Sequence, residues 1–268
     1  WLERLSDDER VDSELRLNGV MAQALMAIHG WASDAVREQA ERSRMLLPRS
    51  TARHHTVATL FALFMHYHVA SARGACRKVV GELVEYPGAS GNRALRGVAA
   101  TAQGVCYHAE GRFIDAAEWL ERALSLYDPA ADRDQGAIYG LDSRAWAAAQ
   151  LALVEWNTGK TRRSFEHAAE AIAWSREIGH GPSLGIALLY ITQIHQIERD
   201  KESVLATTGE LLEASAAYGL PAFEGYAATI RAWAQGDFES VSAIIGVLER
   251  MNCNLILSYF GSYLPDIA

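Results

Sequence analysis

The chain has 268 residues, half of them hydrophobic, and a formal net charge of −8 with 22% charged side chains. That length supports a sizeable core, while the absence of a basic block speaks against nucleic acid as a direct partner. No apolar run reaches the roughly 18 residues a membrane-spanning helix needs, and almost no alternating β-branched runs occur, so the expected class is all-α.

The chain opens on "WLERLSDDER" without an initiator Met, which reads as the tail of a helix belonging to a longer polypeptide. "MAIHGWASDAV" follows: an apolar-periodic segment ends at Gly30, and Asp34 is suited to start the next helix. "VATLFALFMHYHVA", carrying His66 and His68, is the first helix of a second hairpin and turns near Ala70. The clearest unit, residues 97–130, places Gly104, Tyr107, Gly111, Ala116, Leu120 and Ala123 at the small and large positions of a tetratricopeptide (TPR) unit.

Further on, "LVEWNTGKTRR" contains the tripeptide Gly159-Lys160-Thr161, which ends phosphate-binding loops. Such a loop needs an earlier glycine where this chain has Val154, and a strand where "SRAWAAAQLALVEW" reads as helix. Gly159 is better explained as one of a series of helix-ending turns at 30, 70, 111, 159, 200 and 236, spaced by 40, 41, 48, 41 and 36 residues. That period predicts an α-solenoid, TPR-like although HEAT-type repeats have similar lengths: a right-handed superhelix of about six antiparallel hairpins. The expected hairpins cover 16–47, 53–84, 93–127, 142–178, 184–218 and 222–251, with a partial unit at 253–264 whose far side is cut from the pattern.

Chemistry is harder to find. Cys76, Cys106 and Cys253 are spread along the chain without a C-x-x-C and read as buried thiols in a reducing cytoplasm. The histidines lack i, i+4 ligand spacing, no G-x-S-x-G elbow occurs, and no residue set meets a named catalytic role. No catalysis, metal or cofactor is expected. Binding is the remaining reading, since the first helices of successive hairpins line the inner surface of a solenoid. They carry His66, His68, His108, Trp146, Trp156, Tyr190, His195, Tyr226 and Trp233, ring side chains with a polar edge that suit peptide and ligand grooves and equally suit inter-helix core. The irregular stretch "LYDPAADRDQGAIYGLDSRA" accounts for the long interval; its Tyr139 and Asp142 are candidate loop-site residues, and a passive surface loop is the alternative.

At this stretch a family resemblance emerges. "LYDP" followed by "YG.D" (Tyr139, Gly140, Asp142), together with "AQALMAIHGWAS" and "GLPAFEGYAATIRAWA", resembles the TPR-like C-terminal region of large bacterial signalling ATPases. In that group a class III nucleotide cyclase or a winged-helix transcriptional regulator precedes a STAND-type P-loop ATPase, and helical repeats follow. The resemblance runs from about Leu15 to Tyr259; Asp132 stands where members often have histidine, and Ser143 where they often have proline. It implies an ATPase and an output domain upstream in the same polypeptide. It also implies an arm that senses a protein, peptide or small-molecule inducer in its concave groove. A stand-alone TPR adaptor and a homodimerisation module are the rival expectations.

Overall fold

A computed structural model describes residues 6–50, 52–86, 91–250, 253–263 and 265. The opening "WLERL", read as a helix tail, and positions 251 and 264, expected as the ends of the last two units, lie outside them. In chain order the helices are α1 (Asp7–His29), α2 (Asp34–Leu46), α3 (Arg53–Val69), α4 (Arg73–Glu85), α5 (Arg93–Ala109), α6 (Phe113–Leu126) and the short α7 (Gln135–Tyr139). They continue with α8 (Ser143–Asn157), α9 (Thr161–Glu177), α10 (Gly181–Ile197), α11 (Lys201–Tyr218), α12 (Pro221–Gln235), α13 (Phe238–Arg250) and α14 (Asn254–Gly261). No strand occurs among the described residues.

The turns explain the pairing. Gly30, Gly111, Gly159 and Gly236 sit at φ values of 81°, 76°, 77° and 75°, a region that costs an L side chain and suits glycine. Where the hairpin turns lack glycine, Ser71 (φ 55°) and Arg199 (φ 60°) take the same conformation. The Gly159 turn is stitched further by the Lys160 N–H, which donates to the Glu155 carbonyl at 2.8 Å. The buried Glu155 carboxylate is met by Arg163 Nε at 3.0 Å and by His167 Nδ1 at 2.7 Å. Of the basic run after Gly159, Arg163 therefore serves the fold.

Two helices per unit, stacked in series, make the TPR-like α-solenoid that the spacing predicts. At the clearest unit, a Cβ on Gly104 would lie 2.6 Å from the Leu120 side chain, so glycine there allows α5 and α6 their close approach. α1 begins ahead of position 16 because Ser6 and Glu9 form a capping box. Its side facing away from the stack leaves Leu17, Val20, Met21 and Ile28 exposed.

The stack curves enough to meet itself. The Asn254 side-chain amide on α14 donates to the Ala70 carbonyl at 3.1 Å, joining residues 184 apart. Tyr259 on the same helix donates to Gln196 Oε1 at 2.9 Å. Ala32 and Val69 share one apolar cluster with Leu188, Phe223 and Phe260. The insertion between α6 and α8 folds inward: Gln23 Nε2 on α1 donates to the Ala137 and Ile138 carbonyls, both at 3.0 Å, and the Tyr139 ring lies 5.8 Å from Phe61.

The turn geometry makes a paired prediction. Gly159→Ala should lower unfolding free energy by about 1 kcal/mol, and Ser71→Gly should raise it by about 0.5 kcal/mol, since only the first puts a Cβ into the left-handed region. Urea denaturation followed by circular dichroism measures both.

Candidate ligand-binding site

From the second pair onward, the first helix of each pair contributes side chains to one common cavity along the superhelix axis. A cavity of about 290 Å3 is lined by residues of α3, α5, α8, α10, α12 and α14, with Trp31 and Leu141 contributed by turns. No residue of α4, α6, α9, α11 or α13 reaches it. The contributions follow helical spacing, for example Trp146, Gln150, Leu153 and Asn157 along a single face of α8. Trp31 and Phe223 also border a second cavity of about 200 Å3, which lies toward Gly136, His180 and Pro221.

Of the residues singled out from the sequence, His68, His108, Trp146, Tyr190 and Tyr226 line the six-helix cavity together. His66 is buried one helical step away, its ring edge-on to Tyr67 at 5.1 Å and its Nδ1 without a partner among the described residues. Trp156 donates to Glu198 Oε1 at 2.9 Å, and His195 lies 5.6 Å from Phe165, so both sit between α8, α9 and α10. Trp233 is packed against Tyr263 at 5.7 Å under Lys201. Tyr139 lines a separate cavity between α1, α3 and α7.

Asp142 is wholly buried. As N-cap of α8 its Oδ1 accepts from the Ala145 N–H at 2.9 Å and from Trp174 Nε1 at 3.0 Å, and its Oδ2 accepts from the Tyr127 hydroxyl at 2.7 Å. Its own N–H donates to Ser183 Oγ at 2.9 Å. Burial lifts its pKa above the ordinary carboxylate value against the pull of those donors.

Several lining residues carried no signal in the sequence. Trp31 lies in a turn, Gln193 and Asn157 are ordinary amides on helices, and Tyr259 belongs to the partial last unit; only the curvature brings them to the axis. Likewise Cys76 and Cys106, thirty residues apart in sequence, line one small pocket together with His68 and Leu255.

Electrostatically the cavity is neutral. Burial pushes His68 down to about 4, helped by the neighbouring His108, and burial alone pushes His108 to about 4. The Tyr190 hydroxyl is pushed up to about 12 by burial. Polar groups largely satisfy one another: Gln150 Nε2 lies 2.6 Å from His108 Nδ1, Trp146 Nε1 donates to the Tyr190 hydroxyl at 3.3 Å, and Asn157 Nδ2 donates to the Leu153 carbonyl at 2.8 Å. Among the described residues no group of three or more His, Cys, Asp or Glu could hold a metal ion. No helix among them is long and apolar enough to cross a membrane.

The fold and this axial cavity define a TPR-like helical-repeat protein. The architecture is similar to that of the crystal structure of a Rap protein complexed with Competence and Sporulation Factor, with a TM-score of 0.73 at 10% identity, covering 97% of this chain and 78% of that one. Aspartyl phosphate phosphatase F from Bacillus subtilis aligns with a TM-score of 0.56 at 12% identity, covering 96% of this chain and 70% of that one. No protein-family model and no curated protein matches the chain. At such identities the likeness establishes the fold.

Two predictions follow from the local chemistry. Asp142→Ala removes a helix cap and strands the Trp174 and Tyr127 donors, and should cost about 3 kcal/mol in urea denaturation, with Asp142→Asn losing less. The second concerns pH. Histidines whose folded pKa is depressed bind fewer protons than in the unfolded chain, where the pKa is near 6.5, so their contribution is complete above that value and is lost as pH falls toward 4. Between pH 7 and pH 5.5, stability should fall by about 1 kcal/mol for each of His68 and His108, and His68→Gln should flatten the profile.

Proposed function

We propose that this chain is a non-catalytic ligand-sensing module that regulates a multidomain bacterial signalling ATPase, with recognition in the axial cavity. The observation that carries the reading is the convergence of six inner helices, from six successive units, on one neutral, ring-lined cavity. His68, His108, Trp146, Tyr190 and Tyr226 are the contact residues in this reading. Two further points support it. The Rap protein of the same fold was crystallised in complex with Competence and Sporulation Factor, so a solenoid of this architecture can engage a factor. The "LYDP" and "YG.D" motifs resemble the helical arm of STAND-type ATPases that carry a cyclase or a winged-helix regulator.

The mechanism is a population shift. A solenoid is held by nearest-neighbour interfaces, so small rotations between units sum along the stack. A ligand touching α3, α5, α8, α10, α12 and α14 at once stabilises one curvature over others, and shifts the parent protein by its differential affinity for the two states. The exposed stripe Leu17, Val20, Met21 and Ile28 on α1 is a surface through which an adjoining domain of the same polypeptide would sense that curvature.

The test is nucleotide hydrolysis by the parent protein with and without this segment. Deletion is expected to change the rate several-fold, and the cavity-filling substitution Gln193→Trp to change it in the intact protein. A parent whose hydrolysis and output are indifferent to deletion would refute the regulatory role.

A further inference from the structure

The chemistry of the cavity narrows what can occupy it. Twenty-one residues line it, and none is Asp, Glu, Lys or Arg. With 22% of the chain charged, a lining drawn at the chain's own composition would carry about four or five charged side chains, and a buried site built for an anionic ligand would ordinarily offer a basic one. Its polarity comes instead from amides and ring heteroatoms.

Six of those polar side chains already have partners: Gln150 with His108, Trp146 with Tyr190, Asn157 with the Leu153 carbonyl and Tyr259 with Gln196. An extended peptide brings a donor and an acceptor with every residue and leaves them costly if unmet. The lining has few free partners for such a chain. Rings, by contrast, are abundant: Trp31, Trp146, Tyr190, Phe223, Tyr226 and Tyr259 approach from five different parts of the fold. Ring faces and edges suit planar or cyclic groups. The volume of about 290 Å3 lies at the lower end of small-molecule sites, which run from about 300 to 1,000 Å3.

We propose that the axial cavity takes an uncharged, largely apolar, ring-bearing small molecule and excludes anionic ligands. The proposal rests on reading the cavity as the recognition site. Leu255, Ile256 and Tyr259 place α14 over one side of the occupant, and the Asn254–Ala70 bond holds that helix in place. Exclusion of anions follows because an anionic group would leave water and meet no Lys or Arg among the lining residues.

The experiment uses the whole chain and two dyes of one skeleton: N-phenylnaphthylamine, which is neutral, and anilinonaphthalene sulfonate, which adds a sulfonate. Fluorescence titration is expected to show saturable one-to-one binding of the neutral dye, at least about tenfold tighter than the sulfonated one. Gln193→Trp on α10 and Ala109→Phe on α5, each checked by thermal melting, should both abolish it. Equal affinity for the two dyes, or neutral-dye binding that survives both folded variants, would overturn the proposal. If neither dye binds while a displayed peptide or partner protein does, and is lost in the same variants, the ligand class is wrong and the recognition site stands. If the variants alter no binding and the parent is indifferent to the segment, both readings fall together.

Discussion

A single buried carboxylate holds the stack in register. The insertion between α6 and α8 adds residues that a regular solenoid has no place for, and the chain must resume its helical pairing afterwards. Asp142 does this by capping α8 while accepting from Tyr127 at the end of α6 and from Trp174 on α9; its backbone N–H reaches Ser183 on α10. The Tyr127 and Trp174 rings meet edge-on at 5.8 Å, and Arg144 covers Trp174 from 4.5 Å. Four helices from three units are therefore referred to one point. α8 and α10 supply about half of the cavity lining, so its shape depends on that point being rigid.

Around this node the insertion is used as structure. Arg93 pairs with Asp132 at 3.0 Å, Asp132 accepts from the Asp128 N–H at 2.8 Å, and α7 is drawn against α1 by Gln23. The ring of His180 lies so near Gly136 that a Cβ there would approach it to 2.8 Å. From this loop Leu141 reaches the axial cavity, to which α14 adds Leu255, Ile256 and Tyr259.

Similarity at 10% identity to a Rap protein structure has a simple physical basis. A solenoid asks each unit only for small residues where helices cross, apolar residues on the faces between neighbours and a turn that reverses the chain. Those demands are met by many sequences. The residues on the axis are free of them, which is why ligand chemistry can differ between solenoids of one shape.

The sequence by itself determined the fold class. Glycines at 30, 111, 159 and 236, followed by polar helix-starting residues, marked where helices had to reverse, because only glycine reaches positive φ without strain. Even the hairpins without glycine obeyed the spacing, with Ser71 and Arg199 taking the strained conformation themselves. Tertiary structure alone decided the site. Trp156, His195 and Trp233 have the same chemistry as Trp146, His108 and Tyr226, yet only the latter three line the axial cavity. Which face of a helix looks inward, and how far round the stack turns before α14 meets α3, are set by small rotations between units. Those rotations come from contacts among residues tens of positions apart, and no local pattern encodes their sum.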